Sequence, residues 1–269
     1  MNTAVLWSPF FVSFAVGQIY LPEMSAWMGI GFGIIIATFF NLISIRFIIG
    51  KLTINYILDS LLCIKPIFSR LFILAVSVLF VGQIFNKTAL NAIIIVVPIL
   101  VFIQILRRPE TSNFIFKNLK NLIQNSGDEM LLISVSMFLG SILTNSVEIQ
   151  NFINSNIGDY FPFWMMIIFL PFIVWCFSLI GVHPIITSAP ILSIFGPLLS
   201  VWEAAFLMQA HLIGWCAGTA ISFTSLSVLT SAENFKISTS KLVFGPNFFA
   251  TFGLIFFGAL FLILSNYLL

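Results

Sequence analysis

Of 269 residues, 60% are hydrophobic and only 7% are charged, against roughly 25% charged in a soluble domain; with a mean hydropathy of +1.12, the composition excludes a soluble globule and predicts an all-α, polytopic integral membrane protein. A formal net charge of +2, without any basic run of five or more residues, excludes nucleic acid as a partner. Cys63, Cys176 and Cys216 stand singly in apolar surroundings with no Cys-x-x-Cys spacing, so they read as small buried hydrophobes rather than ligands or disulfides.

Crossing a hydrocarbon core of about 30 Å takes roughly 17–25 apolar residues. Runs of that kind predict spans at 4–21, 26–49, 71–86, 88–106, 129–147 and 244–267. No cleavable leader is expected, since Met1–Thr3 carries no positive n-region and no small-residue cleavage site follows. Arg46, Lys51, Lys65 and Arg70 follow the second span, and Arg107, Arg108, Lys117 and Lys120 follow the fourth. By the positive-inside rule both loops are cytoplasmic. Between the latter residues, Ile115, Leu119 and Leu122 recur at helical spacing, which predicts an interfacial amphipathic helix over 113–125. Asp128 and Glu129, with Ser126 as cap, open the next span. The loop 148–160 has no Lys or Arg and suits the outer side.

Between 160 and 230 the apolar stretch is too long and too interrupted for simple spans. Pro162, Pro171, Pro184, Pro190 and Pro197 each remove a backbone donor, which predicts short helices and turns. Two polar segments stand out: Gly181–Pro190 (GVHPIITSAP) and Gly218–Ser225 (GTAISFTS). Lipid offers no partner to a freed N–H or C=O, so irregular backbone at membrane depth must be buried in protein or line a cavity. The expectation is a re-entrant hairpin over 160–202 that turns near His183–Pro184, then a broken transmembrane helix over 203–230. Lys236 and Lys241 then fall in the cytoplasm. A Ser-containing break at Leu6–Ser13 before 26–49, and another at Ile221–Val228 before 244–267, run in opposite directions, as an inverted repeat requires.

Grouped breaks of this kind mark solute and ion sites. The residues expected to face the site are Ser8 in the first break, Thr187 and Ser188 in the hairpin, and Thr219, Ser222, Thr224 and Ser225 in the second break, with Gly218 permitting an unwound turn. The competing reading of any single Ser or Thr is a hydroxyl turned back on the carbonyl one turn earlier. His183 and His211 are intramembrane ionisable groups and hence candidates for a proton relay, against a neutral structural role. Glu203 reads as a helix cap, and Trp27, Trp164 and Trp202 as an aromatic belt. There is no Ser/His/Asp trio, no His-Glu-x-x-His, no pair of deep carboxylates and no phosphate loop, so an enzyme is not expected.

The order of amphipathic cytoplasmic helix, span, polar-tipped hairpin, broken helix and closing span resembles the second repeat of the ion transporter superfamily, which includes the citrate, dicarboxylate and arsenite carriers and the TRAP-type large subunits. Leu6–Phe11 (LWSPFF) and Gly181–Pro184 (GVHP) are similar to patterns in some of its uncharacterised members. The likeness covers about all of the chain. It implies a secondary transporter of the inner (plasma) membrane, moving a small anion by alternating access, with Na⁺ or H⁺ as coupling ion and no other cofactor.

The resemblance also implies a division into 1–50, the remnant of a first repeat; 51–127, a connecting loop, two spans and the amphipathic helix; and 128–269, a second repeat core. The elements that should precede Trp7 are then missing. Either the coding region is shortened, or a separate chain or a second copy in a homodimer supplies them, or the fold differs. The hairpin tip reads Ile185–Ser188 (IITS) in place of the family's Ser-Asn-Thr type, which leaves solute and ion open. Two other classes stay in view. A protein of lipid-linked glycan or surface-polysaccharide handling would carry Arg on its outer loops, where this chain has almost none; a structural subunit would leave the grouped breaks unexplained.

Overall fold

The computed structural model describes residues 3–9, 11–22, 24, 26–49, most of 72–85, 89–107, 127–148 and 162–268, with isolated positions between them. The interfacial helix expected at 113–125 and most of the outer loop lie outside the described residues. Among those described there is no strand. The chain divides into two compact units, Met1–Ser44 with Glu129–Leu269, and Ile45–Asp128. In the second unit the helical stretch Phe72–Ile84 and α3 (Ala89–Arg107) share a small core of Val78, Ala92 and Val96.

The first unit runs from a 3₁₀ turn, η1 (Thr3–Leu6), through α1 (Val12–Tyr20), α2 (Ala26–Ile49), α4 (Gly127–Asn145), α5 (Phe163–Leu179), α6 (Pro184–Phe195), η2 (Gly196–Leu198), α7 (Val201–Ile221), α8 (Leu226–Phe235) and α9 (Thr239–Val243) to α10 (Pro246–Leu268). Trp27–Arg46, Val201–Phe235 and Thr239–Leu268 are long and apolar enough to cross a membrane. This is a helical membrane protein.

Two expectations are corrected. The span expected at 4–21 is no single helix. Pro9 lies in a turn between η1 and α1, and α1, at nine residues, is too short to cross a bilayer. The region 160–230 is not all short helices either: α5, α6 and α8 run 17, 12 and 10 residues with turns between them, as expected, but α7 runs 21. Pro162 caps α5, Pro184 opens α6 and Pro197 opens η2, places where a missing N–H costs nothing. Pro171 and Pro190 are accommodated inside α5 and α6. With no proline between 201 and 221, α7 continues for 21 residues.

Helix α7 is the axis of the unit. Seventeen of its 21 residues are buried, the pattern of a helix apolar on every face. η1, α1, α5, α6 and α10 all pack on it. Against α5 it presents Gly214 and Gly218, a Gly-x-x-x-Gly spacing that lets backbones approach. A Cβ on Gly214 would sit 2.8 Å from the Pro171 Cα, and one on Gly218 would sit 2.5 Å from the Ser178 Oγ. Its first turn is fixed by a capping box: the Glu203 N–H donates to Ser200 Oγ (3.4 Å), and Glu203 Oε2 accepts from the Ser200 N–H (2.9 Å). Gln209 donates from Nε2 to the carbonyls of Leu6 (3.3 Å) and Gly29, tying η1 and α2 to the same axis.

α10 is joined to α5 by a buried bond from Trp175 Nε1 to Thr251 Oγ1 (2.9 Å), with the Trp175 ring centroid 5.1 Å from that of Phe248. Thr251→Val keeps the shape and leaves the indole N–H without an acceptor. A loss of about 0.5–2 kcal/mol is expected, read from unfolding of the detergent-solubilised protein. Trp175→Phe should cost less when made together with Thr251→Val than when made alone. Equal costs on both backgrounds would remove the bond from the account.

Candidate functional site

The site begins with how two helices end. α5 closes at a Gly181 in the left-handed region (φ 88°), which lets the N–H groups of Gly181 and Val182 return to the carbonyls of Ser178 and Phe177, each at 3.0 Å. His183 follows in extended conformation and caps α6, its Nδ1 accepting the Ile185 N–H (3.3 Å), with Pro184 at the first helical position. An Nδ1 that accepts leaves the neutral ring's proton on Nε2.

α7 ends at Ile221. The Ser222 N–H bonds back to the Gly218 carbonyl (2.9 Å), and Ser222 then turns extended (φ −76°, ψ 129°). Gly218 is thus inside the helix and is not an unwound position; its missing side chain serves the contact with Ser178 instead. The irregular stretch is Ser222–Ser225. Ser225 caps α8, its Oγ accepting the Val228 N–H (3.3 Å) while donating to the Thr219 carbonyl (2.5 Å). Ser227 Oγ donates to the same carbonyl at 2.9 Å, so one orphan acceptor of the last turn of α7 is doubly satisfied. Thr224 Oγ1 donates to the Gly181 carbonyl (3.1 Å). This bond ties the turn after α5 to the turn after α7, 43 residues apart in sequence.

Beside this junction lies a cavity of about 840 Å³. Its polar wall carries the first turn of α1 through Ser13, the first turn of α8 through Ser225 and Ser227, and the α6 cap His183; Trp215 and Thr219 of α7 line it, together with Thr230, Ser231 and Asn247. Among the described residues, no Asp, Glu, Lys or Arg lines it. Phe11 precedes α1 in extended conformation without a side-chain acceptor, so the N–H groups of Val12 and Ser13 have no cap. Ser13 is 1% exposed, and its Oγ has no hydrogen-bond partner among the described residues.

Of the residues expected from sequence, the cavity brings together His183, Thr219 and Ser225. Ser222 and Thr224 stand in the adjoining turn, bonded to each other through their hydroxyls (3.0 Å). Ser8 is buried in the turn after η1, and neither it, Thr187, Ser188 nor Gly218 lines the cavity. Thr187 Oγ1 folds back on the Pro184 carbonyl (3.0 Å), and Ser188 is buried in α6, its Oγ without a partner among the described residues. His211 is fully buried on α7, its Nε2 2.9 Å from the Ser13 carbonyl and its Nδ1 without a partner among the described residues. The Trp215 ring stands edge-on to both imidazoles, with centroids 5.5 Å from His183 and 5.4 Å from His211.

Ser13, Trp215, Ser227, Thr230, Ser231 and Asn247 join the site without having been singled out by the sequence pattern. The Ser225-x-Ser227 spacing at a helix start is a signal that could have found Ser227. Nothing local in the sequence marks Asn247.

No protein-family model, no curated protein and no solved structure matches this chain. The likeness to the ion transporter superfamily rests on the order of its segments and on the Leu6–Phe11 and Gly181–Pro184 patterns.

Proposed function

We propose that this chain is a secondary transporter of the inner membrane that moves a small anion by ion-coupled alternating access. In this reading α5 and α6 form a re-entrant hairpin, and α7 with α8 forms a broken transmembrane helix. One observation carries it: the first turns of α1 and α8 and the cap of α6 open onto one cavity that, among the described residues, is lined by no charged side chain. A helix N-terminus offers unpaired N–H groups and about +0.5 elementary charge, which suits an anion without a buried cation to offset. The hydroxyl oxygens of Ser225 and Ser227, on the same wall, are ligands of the kind that Na⁺ takes at a broken helix; H⁺ is the other candidate for coupling. The Thr224–Gly181 bond is a link that would break as the cavity opens. A partner chain or a second copy completes the site if the superfamily's two-halved plan applies.

The test is uptake of radiolabelled anions by vesicles containing the purified full chain, under an imposed Na⁺ or H⁺ gradient. At least one small anion should accumulate above protein-free vesicles, and an ionophore that dissipates the gradient should abolish it. Failure of every anion under both gradients removes the reading.

A further inference from the structure

The charge and wall chemistry of the cavity narrow the solute, given the anion-carrier reading on which this step rests. Two first turns line it, those of α1 and α8. At about half an elementary charge each, they match one negative charge. A second carboxylate would enter a site lined, among the described residues, by no Lys or Arg, with no opposite charge to offset its desolvation. Part of the wall is apolar, with Val5, Phe11, Leu226, Val228 and Leu242 beside the Trp215 ring, and a purely inorganic anion would leave that part unfilled.

An independent observation points to an occupant. Ser13 is among the residues lining the cavity, and its buried hydroxyl has no partner among the described residues, a state that buried polar groups rarely keep. It sits in the first turn of α1, beside uncapped N–H groups. At α8 the Ser225 hydroxyl takes only the Val228 N–H, leaving those of Leu226 and Ser227 without that cap.

We infer that the cavity binds a short-chain aliphatic monocarboxylate, its carboxylate held between the first turns of α1 and α8 with the Ser13 hydroxyl donating to it, and its alkyl tail against the apolar wall. The site discriminates against dicarboxylates by lacking a second positive pole. It discriminates against neutral amides of the same shape because the partial positive charge of the two helix starts favours an anionic head group.

The test uses the purified full chain in detergent and [¹⁴C]butyrate, with propionate, succinate, phosphate and butyramide as competitors. Propionate should compete within about tenfold of butyrate, because one methylene is worth about 0.8 kcal/mol; succinate, phosphate and butyramide should each compete at least about tenfold more weakly. Ser13→Ala should weaken butyrate about tenfold, the scale of one charge-assisted hydrogen bond. Leu226→Pro and Val12→Pro remove one N–H at a first helical position, where proline fits the helix and the preceding residues, Ser225 and Phe11, are already extended. Each should weaken butyrate without lowering the melting temperature, which keeps the test valid should Ser13→Ala fold poorly.

Tighter binding of succinate or phosphate overturns the monocarboxylate while leaving an anion carrier standing. Equal competition by butyramide, or butyrate binding untouched by all three substitutions, overturns recognition by the helix ends. If neither butyrate nor any competitor anion binds, the anion-carrier reading falls with it.

Discussion

Gly214→Ala is expected to destabilise the fold by about 1–3 kcal/mol, whereas Gly253→Ala should be neutral or stabilising by up to about 1 kcal/mol. Both glycines lie inside apolar helices, and alanine is the better helix former at each. What separates them is the neighbour. A Cβ at Gly214 meets the Pro171 Cα at 2.8 Å and the Val174 Cβ at 3.2 Å. Those atoms are a backbone Cα and a β-branched Cβ rather than the end of a flexible side chain, so α5 must shift. A Cβ at Gly253 meets nothing within 4 Å. Between helices in a bilayer, packing rather than water release drives association, so a lost close approach is felt directly. Unfolding of the two variants in detergent, side by side, is the measurement. Equal melting temperatures would mean that the α5–α7 seam does not carry the stability assigned to it.

That seam bears on the site as well. It ends at Gly218 against Ser178, which stand four residues before Ser222 and three before Gly181 respectively. The two turns joined by Thr224 and Gly181 are therefore the continuations of two helices already locked together. Beside the cavity, one exposed hydrogen bond holds these two polar turns together.

The long apolar elements are legible in the sequence because their signal is local. The bounds expected for the second span coincide with α2, since a continuous run such as 26–49 needs no tertiary information. The N-terminal break at Trp7–Pro9 is visible as a proline beside a serine, yet a window of hydropathy wide enough to find spans averages over it. Proline density between 160 and 230 reads correctly where three of the five prolines open the short α5, α6 and η2, at positions where they cost nothing, and says nothing of the proline-free α7. Gly218 is misread because glycine serves both unwinding and close packing, and the spacing to Gly214, which favours packing, is decisive only once the facing helix is known.

The cavity is legible in part. His183 and Ser225 can be anticipated because each stands at a break, one before proline and one before a fresh helix. Ser13 and Asn247 belong to helices near opposite ends of the chain, and only the tertiary fold assembles them with those breaks. The hydroxyls of Thr187 and Ser193 turn back on their own helix, Thr187 to Pro184 and Ser193 to Pro190 (2.7 Å). A lone Ser or Thr in an apolar helix does this by default, and no sequence pattern separates it from one that faces a ligand.

Gln209 escapes a reading by motif because a single amide in an apolar helix carries none, and its replacement should have the other large effect. Gln209→Ala is expected to cost about 2–4 kcal/mol, since it removes buried volume that the surroundings cannot refill together with the bonds to Leu6 and Gly29. Gln209→Leu restores the volume and should cost only about 1 kcal/mol. Interhelical hydrogen bonds in membranes average about 0.6 kcal/mol, and the amide's own Oε1 is already without a partner among the described residues, so leucine relieves one buried polar atom while losing two bonds. Both variants free the Leu6 carbonyl, however, and with it the hold of α7 on η1. Hydrogen exchange over residues 3–9 should accelerate in Gln209→Leu even where the global melting temperature hardly moves. Because Ser13 follows that turn by one short stretch, a loosened η1 should also weaken any ligand held by the first turn of α1. Unchanged exchange at 3–9 in both variants would leave Gln209 as a packing residue and sever its connection to the site.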